Sequence, residues 1–310
     1  MPTRDVIGGA LARVGWYALD VPCAWCLRTD ERAACAWKDD DEGTDEDYET
    51  SLLFSSAHAH ASMREILDDG RADRVQHMSG KTFDTHLEEV AALLRAWGAP
   101  EACATAGLGH TVYGSEAFPV RLKRFVDRKS TRAAVGTWTE RLMFAYATTS
   151  QRKWYRAMVS EEFDGGRGEP TPKFVAINFY TGERREMSDL EGAMLTLMHA
   201  ADVYSVLKRD VEADEMRVAV GFVLRLIVVA SEGVQRAARQ TANVDVRNAL
   251  TKLHRHLDET VVRDIASSSV RGAPSSNLSS VRDSGIEAAT KTLRRARTDA
   301  GLVLRATGVV

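Results

Sequence analysis

The chain is poor in the features that would settle its class at once. Its 310 residues include four cysteines, Cys23, Cys26, Cys35 and Cys103, too few to staple a chain of this length, which excludes a disulfide scaffold. Cys23 and Cys26 form a C-x-x-C. A structural zinc wants a second pair or histidines at compatible spacing, and Cys35 adds only a third thiol, so these read as ordinary cysteines. Strong charge of one sign is also lacking. A net charge of -3 and an isoelectric point near 6.3 give no global reason to expect nucleic acid as a partner. No apolar run reaches the roughly 20 residues of a membrane-spanning helix. The longest, Val218 to Ala230, carries Arg225 and reads as a buried core helix, so no membrane segment is expected. The stretch MPTRDVIGGALARVGWYALD lacks the basic start and sustained apolar core of a secretory signal, which predicts a cytoplasmic setting.

Apolar residues are present in quantity: 44% of the chain is hydrophobic against 27% charged, enough for a large core. They fall mostly at helical spacing. Val6, Ile7, Ala10, Leu11, Val14 and Leu19 predict one or two helices over residues 4–37, interrupted by Pro22. Asp39 to Glu49 holds eight acids in eleven residues and reads as a solvated loop. Phe83, Leu87, Val90, Leu93 and Leu94 make the apolar face of a helix that Gly98 and Pro100 end. A second helix is expected from Pro100 through Ala102, Ala104, Ala106 and Gly107 to His110, with Ser130 then capping a helix over Thr131 to Tyr146. Lys173 to Tyr180 is strand-like and predicts a hairpin turning at Thr181-Gly182. Ser188 to Glu191 is a capping-box pattern that opens a helix through Lys208. Helices over Asp214 to Ala242 and Val244 to Ala266 follow, then a serine-rich linker and a final helix over Val281 to Val303. The expected fold is mainly α, a helical bundle with a short β-hairpin insertion. It divides into an extension with its acidic loop (1–50), the helical domain (51–266), the linker (267–280) and the terminal helix (281–310). That last helix reads as docking on its own body or on a second subunit of a homo-oligomer.

Three of the eight histidines, His77, His86 and His110, lie between His77 and Glu116. His58 with His60, and His254 with His256, have the two-residue spacing that points helical side chains apart, and both pairs read as surface residues. His199 and Asp202 stand three apart, neighbours on a helix surface.

The segment His77-x-Ser79-Gly80-Lys81-Thr82-x-x-x-His86, then Trp97-Gly98-Ala99-Pro100, then Ala106-Gly107-Leu108-x-His110-x-Val112-Tyr113-Gly114-x-Glu116 resembles an uncharacterised group of HD-like proteins. That group's pattern approximates H-S-G-R-T-L-x-x-H-L, W-G-x-P and A-G-L-F-H-S-V-Y-G-T, and the likeness runs from about Val75 to Arg152. More distantly it is similar to the HD phosphohydrolases. The resemblance implies His86 and His110 as metal ligands on consecutive helices and Asp202 as the last ligand, with Thr111 standing where the family has a paired Asp. His77 or Glu116 would restore a fourth ligand. Tyr113 and Glu116 would orient substrate or move a proton, and Arg128 and Glu140 match polar positions that bind substrate or form a buried ion pair. The implied cofactor is a divalent metal, Mn, Fe or Zn, and the implied partner is a small-molecule substrate. Three functions follow: a metal-dependent hydrolase of a phosphate ester or nucleotide, a non-haem iron oxygenase on the same residues, or a metal-free binding or regulatory module.

Overall fold

A computed structural model describes residues 34–37, 57–77, 81–118, 120–159, 173–207 and 213–265. Most of the expected N-terminal helices, the acidic run, the Gly/Pro-rich stretch near 165–172, the serine-rich linker and the terminal helix lie outside the described residues. Among the described residues 72% are helical, which makes the fold mainly α. The helices are α1 (Ala57–Asp69), α2 (Phe83–Ala96), α3 (Glu101–Leu108), α4 (Arg128–Val135), α5 (Thr137–Thr148) and α6 (Gln151–Val159). After a hairpin of β1 (Val175–Ile177) and β2 (Arg184–Glu186) come α7 (Asp189–Val206), α8 (Ala213–Gln240) and α9 (Val244–His256). The hairpin is antiparallel, with Val175 opposite Glu186 and Ile177 opposite Arg184.

α7 lies at the centre because its sequence leaves it nowhere else to go. DLEGAMLTLMHAADVYSV is apolar or small on every side, the pattern of a helix surrounded by others, and each residue from Leu190 to Ala201 is buried. It packs on α2, α3, α5 and α8. Ser188 caps it by accepting the Glu191 N–H at 3.2 Å. The Glu191 carboxylate does not return to Ser188 as a full capping box would; Arg141 donates to it at 3.0 Å and Arg185 also bonds it.

α2 buries Phe83, Leu87, Val90, Ala91 and Leu94 against α3, whose residues from Ala102 to Leu108 are all buried. Small side chains let the two helices approach closely. A Cβ at Gly107 would stand 2.3 Å from Leu94 Cδ1. α3 ends at Leu108, short of the expected His110: the Gly109 N–H bonds both Thr105 and Ala106 carbonyls, tightening the last turn and placing His110 in the loop beyond it. The expected Thr131–Tyr146 helix is two helices, because Gly136 takes φ 90° and breaks the helical path. Ser130 therefore lies inside α4, where its hydroxyl donates to the Asp127 carbonyl at 2.8 Å. Residues 34–37 dock on the end of α5 and the turn after β1, with Trp37 Nε1 donating to Thr148 Oγ1 at 3.0 Å and Asn178 Nδ2 donating to the Cys35 carbonyl at 2.7 Å. No described helix is long and apolar enough to cross a membrane.

Candidate metal centre

His86 comes from the first turn of α2, His110 from the loop after α3 and Asp202 from α7, and the packing of these helices brings the three together. One ligand atom from each lies within 4.8 Å of the others. Both histidines are 1% exposed and the Asp202 side chain is 22% exposed. His86 Nε2 stands 3.2 Å from Asp202 Oδ1, and His110 Nε2 stands 3.7 Å from the same oxygen.

The remaining ring nitrogens fix the tautomers. His110 Nδ1 lies 2.7 Å from the Gly107 carbonyl; a carbonyl only accepts, so Nδ1 carries the proton. His86 Nδ1 lies 3.1 Å from Ser205 Oγ, whose own hydrogen goes to the Asp202 carbonyl at 2.8 Å. His86 Nδ1 is therefore a donor as well. Each neutral imidazole is left with an Nε2 lone pair directed at a carboxylate oxygen, and His110 Nε2 has no hydrogen-bond partner. The other Asp202 oxygen is satisfied: Tyr146 donates its hydroxyl to Oδ2 at 2.5 Å. Two lone pairs and one carboxylate oxygen thus converge on a point, an arrangement that a cation among them would satisfy. A proton is disfavoured there, since burial lowers the His86 pKa. Burial raises the Asp202 carboxyl, but the nearness of His110 and His86 outweighs it and holds the group well below the usual carboxylate range. The Tyr146 phenol, pushed well above its usual value by burial, stays a donor. His86, His110 and Asp202 can hold a metal ion, and their hydrogen-bonding partners fit that role.

Residues 66–151 match the family model of a domain of unknown function, DUF6817. No curated protein and no solved structure matches the chain. The matched span contains His86, His110 and Tyr146 and stops well before Asp202, so the carboxylate that completes the cluster comes from the part of the chain beyond it.

The other expected site residues fall in different places. His77 stacks face to face on His86, ring centroids 3.9 Å apart and 6° from parallel, and packs against Phe118 at 5.2 Å. Burial, with His86 alongside, lowers its pKa to about 4. It walls the cluster, and its nitrogens are not among the converging ligand atoms. Tyr113, Arg128 and Glu140 meet one another instead: Tyr113 donates to Glu140 Oε1 at 3.2 Å, Arg128 binds both carboxylate oxygens at 2.7 and 3.0 Å, and Arg132 joins at 3.2 Å. Glu140 is fully buried and Arg128 lies 3.5 Å over the Phe144 ring. Glu116 accepts from Ser150 Oγ at 3.2 Å and from the Arg152 N–H at 3.1 Å, a carboxylate at the start of α6. Thr111 is 4% exposed, and its hydroxyl has no hydrogen-bond partner.

The histidines of the later helices are covered to different degrees. His199 is fully buried, stacked on Tyr146 at 4.3 Å with Nδ1 3.0 Å from the Tyr155 hydroxyl. Its helix has no solvent face. His254 is half-buried between Ser231 at 2.7 Å and Gln235 at 3.0 Å, and His256 reaches the Ala96 carbonyl at 3.3 Å. Two partners of the cluster were within reach of the sequence, since Gly107 and Ser205 each stand one helical turn from a ligand. Tyr146 was not, because no local spacing links it to Asp202.

Proposed function

We propose that the protein is a metal-dependent hydrolase of a phosphate ester or nucleotide on an HD-like helical scaffold, with His86, His110 and Asp202 holding a divalent cation. The convergence of two imidazole nitrogens and one carboxylate oxygen carries this reading, because it forms a donor set that a divalent cation would complete. A bound Mn(II), Fe(II) or Zn(II) would acidify water and offset phosphate charge. The chain's own groups prepare for that. Gly107 and Ser205 fix the tautomers and aim the Nε2 atoms. With one carboxylate against a divalent ion the site keeps a net positive charge, which favours an anionic substrate. His77, Phe83 and Phe118 close one side against water. The expected setting is cytoplasmic and the expected substrate a small molecule.

The donor set itself supports a second reading. Two imidazoles and one carboxylate also make the facial triad of non-haem iron oxygenases. Metal content of protein purified without chelator separates the readings. Stoichiometric metal with phosphate release supports the hydrolase, and iron with oxygen uptake supports the oxygenase. No metal, and no rise in melting temperature on adding Mn(II), Fe(II) or Zn(II), sinks both and leaves a binding module.

A further inference from the structure

Asp202 has two oxygens, and only one faces the histidines. We propose that Tyr146, held in place by the buried His199, is a positioning residue that keeps Asp202 a one-oxygen ligand, so that the metal proposed above retains an open coordination position. The assignment rests on that metal reading and adds to it. Tyr146 donates to Oδ2 at 2.5 Å while Oδ1 faces both Nε2 atoms. A carboxylate oxygen committed to a phenol is a poor partner for a cation, and rotating the carboxylate to offer both oxygens would break the hydrogen bond that a fully buried hydroxyl makes to it.

The consequence depends on arithmetic at the metal. Zinc usually takes about four ligands. Two nitrogens and two carboxylate oxygens would fill a tetrahedral ion from the protein alone and make the site a closed, structural one. With Oδ2 held by Tyr146, protein supplies three donors and the next position is left for water or substrate. The phenol has few ways to move. Its ring stacks on His199 at 4.3 Å and 28° and meets His110 edge-on at 4.8 Å, and His199 is itself fixed through Nδ1 by the Tyr155 hydroxyl. His199 sits one turn before Asp202 on α7, so a single helix sets both the ligand and the clamp on the residue that orients it.

The test is titration of the apo protein with Co(II) and with Zn(II), read by visible absorption and by affinity. Tyr146→Phe keeps the ring and its stack and removes only the donor. It is expected to weaken metal binding by about 10–100-fold and to shift the Co(II) visible bands, because Asp202 turns bidentate and its second oxygen takes the position left for water. His199→Phe, which preserves the stack, is expected to keep the wild-type spectrum, whereas His199→Ala is expected to move it toward that of Tyr146→Phe. An unchanged affinity and spectrum in Tyr146→Phe, with its apo melting temperature intact, overturns the assignment and leaves the metal reading standing. Failure of the wild-type chain to take up either ion overturns both.

Discussion

Two buried carboxylates in this molecule have opposite surroundings. Glu140 is fully buried between two guanidinium groups, Arg128 and Arg132, with the Tyr113 hydroxyl as a further donor. Every group that faces it donates, so its charge is compensated in full by the chain. Asp202 also has one phenol donor, Tyr146, but where Glu140 has arginines it has two imidazoles whose nearer nitrogens are acceptors. The first cluster is complete as folded. The second has room for something positive and can hold a metal ion. The resemblance grouped residues of both clusters into one site; their contacts assign them to two, one that holds α4 to α5 and one that can hold a metal ion.

Neutralising each carboxylate in turn should give changes of opposite sign. Glu140→Gln removes the buried charge that both guanidiniums bond, and loss of one partner of such a pair costs about 3–5 kcal/mol. Its melting temperature should fall steeply, with metal uptake per folded molecule unchanged. Asp202→Asn should instead hold or raise the stability of the metal-free protein, by about 1 kcal/mol, because the amide can donate to an Nε2 while its oxygen still accepts from Tyr146. The same variant should lose the metal-induced stabilisation, which for wild type is about 2.7 kcal/mol at a hundredfold excess over the dissociation constant. Calorimetry of both variants with and without Zn(II) reads all of this. Equal destabilisation of the two apo proteins would erase the distinction between the clusters.

Much of the fold was legible because helical apolar spacing is a strong local signal. The face of α2, the hairpin turn at Gly182 and the Ser188 cap all follow from residues close together in sequence. The break at Gly136 was missed because a glycine within an apolar helical pattern is tolerated as often as it interrupts, and only its φ of 90° decides. The ligand set was expected from ordered motifs, and its partners Gly107 and Ser205 are local to it. Tyr146 was invisible because it is 56 residues from Asp202, and the burial of His199 because a histidine on a helix packed among others carries no mark in its neighbours to say that solvent is absent.

Protonation offers a weaker lever on the same contrast, since arginines do not titrate in the accessible range and histidines do. Burial lowers His199 to about 3 and His77 to about 4, both from 6.5. Below pH 6.5 the unfolded chain takes up protons that the folded chain refuses, so stability is fully present above that value and declines as pH falls toward 4 and 3. The apo protein should therefore melt at a lower temperature at pH 5 than at pH 7. His199→Phe should show a shallower decline between those two values, and a decline parallel to wild type would remove His199 from the account.

The smallest change tests the position where the family resemblance breaks. Thr111 stands where a paired Asp is expected, it is buried, and its hydroxyl has no hydrogen-bond partner. Were that hydroxyl a metal ligand, Thr111→Val would weaken Zn(II) binding. With the three donors of His86, His110 and Asp202 sufficient, valine, the same shape without the polar atom, should leave the affinity unchanged. It should also stabilise the fold by up to about 1 kcal/mol, since an unsatisfied buried hydroxyl costs more than the methyl that replaces it. Parallel measurement of melting temperature and Zn(II) affinity separates the cases. A loss of affinity would show that the threonine has taken over part of the missing carboxylate's role, and the centre would then have four protein donors and a different claim to an open position.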